Sequence, residues 1–319
     1  MDQPTLNKFP KLFLILLVLA SCQDDDKPTA DAASVNYINE VLDIMEEHWY
    51  KKSTIDWEKM RADVVAQVMT PDDINDAIRS ALTVLNDRQS YVYRNNTAII
   101  VNQKSCAFPD SFGKDVDNIG YIKIGYDPAQ WNSANDFAIA VQQLIHDKDN
   151  MNIVGWVVDA RAAQMGDPFA MLAAIGPILG GGASGYFINA DDNSRAWSYA
   201  DGKAYFDDFV MATVPSPYQL INADPKVALL IDAGTASQGE LIAASFIARP
   251  KTRSFGTATC GMSVGKTTFT LSDHATLTLV TDFMADRGLT KYGEAITPDE
   301  VIEDDEAAVD RAIEWLMEP

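Results

Sequence analysis

Apolar positions divide the chain into two regimes. Between residues 34 and 95 they recur every three or four residues, the period of a helix with one buried face. Val35, Ile38, Leu42, Met45 and Trp49 form one such stripe, and Trp57, Met60, Val64 and Val68 a second. A third opens with Thr70-Pro71-Asp72-Asp73. That tetrad supplies an N-cap, a proline at the first helical position and early acids. The stripe continues through Ile74, Ala77, Ile78, Leu82 and Leu85. The pattern predicts a small helical N-terminal domain over 34–95.

From residue 96 onward the apolar residues gather into short runs separated by helical stretches. Residues 119–125, 153–159 and 226–232 are predicted strands, and the last two are continuous enough to be buried on both faces. Helices are predicted around Phe137, Val141, Leu144 and Ile145, and over 168–179 up to the stop at Gly180-Gly181-Gly182. A last one carries Val309, Ala312, Ile313 and Leu316. Residues 267–281 alternate around Ser272-Asp273-His274, a hairpin signal. Strands alternating with helices predict an α/β layered core over 96–319.

Composition adds little to this and charge excludes one class. The chain has 319 residues, 47% hydrophobic, enough apolar material for a core. Its formal charge of −21 argues against a nucleic-acid partner, which would need phosphate neutralisation. With three histidines and three cysteines at no zinc-type spacing, neither a metal nor a cofactor is expected.

The N-terminus changes the picture more. Lys8 and Lys11 precede an apolar run from Leu12 to Ala20, too short to span a bilayer and suited to a signal-peptide core. The run ends in Leu19-Ala20-Ser21-Cys22, which resembles a bacterial lipobox. Residues 1–21 are therefore expected to be a lipoprotein signal peptide. Cys22 would carry the lipid anchor, with residues 22–33 an acidic tether. Multiple acyl chains on one residue hold a membrane where a single chain does not. The expected location is the cell envelope, as far out as the outer surface of the outer membrane. Cys106 and Cys260 remain; an exported compartment permits their pairing, but the sequence cannot bring them within bonding distance. They are taken as two separate thiols.

Candidate chemistry centres on Thr235-Ala236-Ser237-Gln238-Gly239-Glu240. A serine between a buried strand and a helix start lies at the carboxyl end of the sheet, where open α/β sheets bind ligands. Helix amides and dipole favour negative charge there, as a nucleophile beside an oxyanion site requires. The competing reading makes Ser237 a helix cap with Glu240 its capping-box partner.

This turn resembles that of the C-terminal processing (tail-specific) serine peptidases, whose nucleophile lies in Thr/Ser-Ala-Ser-x-x-Glu. Further stretches resemble the family in order: Asn86-Asp87-Arg88-Gln89-Ser90, Gly120-Tyr121-Ile122-Lys123-Ile124, Gly155 to Arg161, Arg253-Ser254-Phe255-Gly256, Thr259-x-Gly261 and Pro298-Asp299. The likeness runs from about Val35 to Leu316 and implies a crotonase- or ClpP-like core of stacked strands and helices. It implies a serine endopeptidase acting on peptides or protein C-terminal tails. By this resemblance Ser237 is the nucleophile, and the amides of Gln238 and Gly166, with Met165 and Gly261 nearby, form the oxyanion and substrate site. No PDZ-type module fits between residues 95 and 119.

The departures fall on the catalytic face. One branch of the family uses a lysine where this chain has Met262, and the other a histidine where it has Gln89. Neither side chain can act as a base. Glu294 stands near the family's acid position. His274 and Lys266 are candidate substitute bases. The alternative to a hydrolase is a pseudopeptidase that retains the fold to bind extended peptides or another ligand.

Overall fold

The computed structural model describes residues 30–109, 113–125 and 127–319. The expected signal peptide and Cys22 lie outside the described residues, as does all but the end of the tether. No helix among the described residues is long and apolar enough to cross a membrane.

Helix α1 (Ala32–His48) starts where the Asp31 carboxylate accepts the Ser34 N–H at 2.8 Å. It is followed by α2 (Trp57–Val65) and α3 (Ile74–Leu85). The Thr70-Pro71 signal predicted the third helix's start slightly early: Pro71–Asp73 form a 3₁₀ turn, and α3 begins at Ile74. The three apolar stripes meet one another and also strands β1 (Tyr91–Arg94) and β2 (Thr97–Ile100). Ile38, Leu42, Met45, Ile78 and Leu82 share one buried core with Val92, Ile99, Leu277 and Leu279. The N-terminal helices are thus sealed onto sheet residues from the far end of the chain.

Two sheets make up the rest. Strand β3 (Ile119–Lys123), helix α4 (Ala134–Lys148) and strand β4 (Gly155–Asp159) begin the α/β part. Helix α5 (Pro168–Leu179) leads into four antiparallel strands, β5 (Gly182–Asn189), β6 (Ser194–Ala200), β7 (Lys203–Phe206) and β8 (Phe209–Thr213). The chain returns through β9 (Lys226–Ile231), α6 (Gln238–Phe246) and β10 (Thr252–Gly256). It then forms the β11 (Val264–Thr270) and β12 (Thr276–Asp286) hairpin, the short β13 (Glu300–Val301) and α7 (Asp305–Met317).

The five-stranded sheet has the order β13-β10-β9-β4-β3, with each neighbouring pair parallel. Every residue of β4 is buried, and β9 is buried from Val227 on, because helices cover both faces. Helices α4, α5 and α6 pack on one face through Phe137, Ile145, Leu172, Ile175 and Leu241, and α7 on the other through Val309, Ala312 and Leu316. The eight-stranded sheet runs β2-β1-β12-β5-β6-β7-β8, with β11 also on β12. Its β5–β8 portion has no counterpart in the sequence expectations. Those strands present exposed and half-buried residues in mixed order, so their period is weak. Trp156 and Trp197 are fully buried core residues.

Candidate active site

Three loops leave the carboxyl ends of adjacent parallel strands β4, β9 and β10 and converge. The loop after β9 carries Ser237 and is clamped to the loop after β4. Asp232 Oδ1 accepts the N–H groups of Ala162 and Gly234, each at 2.9 Å. The Thr235 hydroxyl donates to Ala160 O at 2.9 Å, and the Ala236 N–H to Ala163 O at 2.9 Å. This close seam requires glycine at 239, where a Cβ would stand 2.1 Å from Ala163 O.

Ser237 has φ 51° and ψ −103°, an uncommon backbone state for a residue with a side chain. Such a state costs about 1–3 kcal/mol and persists where the surroundings enforce it. Its N–H donates to Glu240 Oε2 at 2.9 Å, the Glu240 half of a capping box. The Ser237 side chain faces the Glu240 N–H, the other half of the box, and the residue is half-buried.

Glu240 ties this elbow to the turn after β10. Its fully buried carboxylate also accepts from the Thr259 hydroxyl at 2.5 Å, the Gly261 N–H at 2.8 Å and the Met262 N–H at 2.7 Å. Burial raises its carboxyl above the usual range, with those donors pulling the other way. The Ser237 and Met262 amides point at the same oxygen, so the two backbones abut. Gly261, at φ 86°, gives its N–H to Glu240 rather than to a substrate.

Beside Met262 opens a cavity of about 240 Å³ whose walls include Gln89, Tyr91, Arg88 and Lys266. Gln89 is held by its backbone: Asp87 Oδ1 takes the Gln89 and Ser90 N–H groups at 2.8 and 2.7 Å, and Oδ2 takes the Ser90 hydroxyl and the Trp49 indole. The Gln89 side-chain Oε1 is buried without a hydrogen-bond partner. Lys266 follows a bulge between Gly265 and Lys266 in the β11 ladder, the kind of irregularity that re-aims a side chain. Its position is reached by solvent yet crowded by the cavity walls, and the loss of hydration lowers the ammonium below the usual lysine range.

The other candidate residues lie apart. His274 occupies the exposed hairpin turn at the far end of β11, beside Asp273, which pairs with Arg94 at 2.7 Å and Tyr37 at 3.0 Å. The Glu294 carboxylate is 85% exposed, 3.6 Å from Lys51, and only its backbone carbonyl joins the turn, accepting from Ser263. Gly166 has φ 118° in the loop that Asp167 closes by capping α5, and Met165 beside it is 57% exposed. Gln238 is half-buried at the first position of α6.

Cys106 and Cys260 are not separate thiols; they form a disulfide with Cα atoms 5.6 Å apart. The expectation failed because 154 residues of sequence separate them and only the tertiary fold closes that gap. The bond straps residues 103–109 across the site. Lys104 Nζ donates to Gly261 O at 3.3 Å, Gln164 donates to Ala107 O, and Ala107 and Pro109 lie against Gly234. The sequence signalled this strap only through the cysteine pair.

The strained Ser237 thus stands at a strand-to-helix turn on the carboxyl edge of a parallel sheet. The chain belongs to peptidase family S41, which residues 118–302 match. Over 186 residues it is 30% identical to the nisin-resistance protein of Lactococcus lactis subsp. lactis, covering 58% of this chain and 56% of that relative. The match thus spans little more than half of the relative's length. Among solved structures, a lipoprotein from Streptococcus agalactiae superposes with a TM-score of 0.62 at 19% identity, covering 91% of this chain and 97% of that one. The photosystem II D1 C-terminal processing protease superposes with a TM-score of 0.60 at 14% identity, covering 88% and 97%. The fold is that of the S41 proteases.

Proposed function

We propose that this protein is an exported, Cys22-anchored serine peptidase that cleaves peptides or protein tails, with Ser237 as nucleophile and Lys266 as its base. The observation that carries this reading is the shared cavity. Lys266 lies with Gln89 and Met262, the two positions where relatives are expected to hold a base, and the Met262 and Ser237 N–H groups share one Glu240 oxygen. A lysine must shed its proton to act as a base, and reduced hydration favours the neutral amine.

In this scheme Ser237 Oγ attacks the scissile carbonyl carbon and its proton passes to Lys266 Nζ. The Gln238 and Gly166 amides receive the oxyanion. Collapse expels the amine, which takes the proton, and water then hydrolyses the acyl-enzyme. Gln89, with its unpaired oxygen, accepts a peptide N–H. A fluorophosphonate probe tests this: Ser237 Oγ bonds to phosphorus and fluoride leaves. Wild type should be labelled, while Ser237→Ala is not and Lys266→Met is labelled at least tenfold more slowly. Unlabelled, folded wild type would sink the hydrolase reading.

One observation favours the second reading, a peptide-binding pseudopeptidase: no side chain among the described residues hydrogen-bonds the Ser237 hydroxyl. Under that reading Gln89→His, which restores the relatives' base, would create labelling absent from wild type.

A further inference from the structure

The chain carries 46 acidic residues against 25 lysines and arginines, so most cations find a carboxylate partner. Besides Lys266, Arg88 at the cavity beside Met262 and the nearby Lys104 are cations without one. Arg88 stands in the cavity wall, and its side chain's only hydrogen bond among the described residues runs from Nε to Asn102 O at 3.0 Å. The terminal guanidinium nitrogens are left open. Lys104 stands on the disulfide-held strap next to the lining residue Gln103, its Nζ donating to Gly261 O and its N–H bonding Arg88 O at 3.2 Å. Neither forms an ion pair among the described residues. The nearby acids are committed elsewhere: Asp87 to four donors at its turn, and Glu294 to Lys51.

The Gln89 side chain lines the same cavity, its Oε1 buried without a hydrogen-bond partner. Open cations at the wall of a cavity are the complement of a peptide's carboxylate. An arginine fork matches a carboxylate in plane. A cleft also concentrates the field of its charges more than a convex surface does.

We propose that Arg88 and Lys104 form a carboxylate-binding subsite at the cavity beside Met262, which selects peptides carrying a carboxylate within a few residues of the bound segment. The carboxylate is either an acidic side chain or the chain terminus. This deepens the peptidase reading, because it takes the cavity as part of a peptide site, but it is tested by binding alone.

Isothermal titration of the full-length Ser237→Ala protein distinguishes the sources. Three probes serve: an acetylated, amidated heptapeptide with a central glutamate, its glutamine twin, and the glutamine peptide with a free C-terminal carboxylate. One of the two carboxylate peptides should bind about tenfold more tightly than the neutral twin, and added salt should shrink that preference. The peptide that gains identifies the source. Arg88→Gln with Lys104→Gln should abolish the preference while leaving the neutral peptide unchanged, and Lys104→Arg should keep it. Equal binding of all three peptides, no binding of any, or a preference that survives the double variant would each overturn the subsite. Probe labelling of wild type reports separately on the hydrolase reading, so each can fail without the other.

Discussion

Replacing Cys106 and Cys260 together by serine is the most informative perturbation of this fold. The bond closes a loop of 154 residues, and loop-closure entropy for that length corresponds to about 5 kcal/mol of constraint on the unfolded chain. Both cysteines are only half-buried, so serine at either leaves little void and the native state changes little. The loss should therefore come mostly from a freer unfolded ensemble, and about 3–5 kcal/mol is expected. With a urea slope near 3 kcal/mol/M for a chain of this size, the unfolding midpoint should fall by about 1.5 M. The slope itself should rise, because an unbridged chain exposes more surface when unfolded. Urea titration followed by tryptophan fluorescence, on oxidised, reduced and doubly substituted protein, reads all three quantities. A midpoint shift below about 0.3 M, or a reduced wild type that matches the oxidised one, would refute the reasoning.

Three further outcomes follow from the site. Lys266 has a lowered folded-state value, so the unfolded state binds more protons between that value and the ordinary lysine range. Stability should rise with pH through that window, and Lys266→Met should flatten the rise in urea midpoints measured from pH 7 to 10. Glu240→Ala strands four donors in a dry interior and should cost about 3 kcal/mol or more by chemical denaturation, with slower probe labelling as Ser237 relaxes; a loss under about 1 kcal/mol would contradict the clamp. Gly239→Ala drives a methyl against Ala163 O and should lower the melting temperature by several degrees, whereas a neutral effect would mean the seam can open.

Much was legible in the sequence wherever a local rule governs the outcome. The helical stripes of 34–85, the doubly buried strands at 155–159 and 226–231 and the turn at 271–275 are set by period and by turn chemistry, which neighbouring residues decide among themselves. That Ser237 sits in a strand-to-helix turn followed from the buried strand running into a helix start, while its candidacy as nucleophile rested on the family resemblance. The residue types at Gln89 and Met262, which the resemblance sets against a histidine and a lysine, were equally legible.

What only the tertiary structure decided is which distant groups meet. That Lys266 shares a cavity with Gln89, while His274 lies at the other end of the same hairpin, depends on strand pairing and a bulge rather than on composition. The Cys106–Cys260 bond and the strap it holds depend on closing 154 residues of chain, and the β5–β8 strands depend on neighbours that reward pairing where their own period is weak. Local propensity reaches about one turn along the chain. The contacts that assemble this site join residues from about 20 to more than 150 positions apart, and their free energy exists only once the sheets have formed.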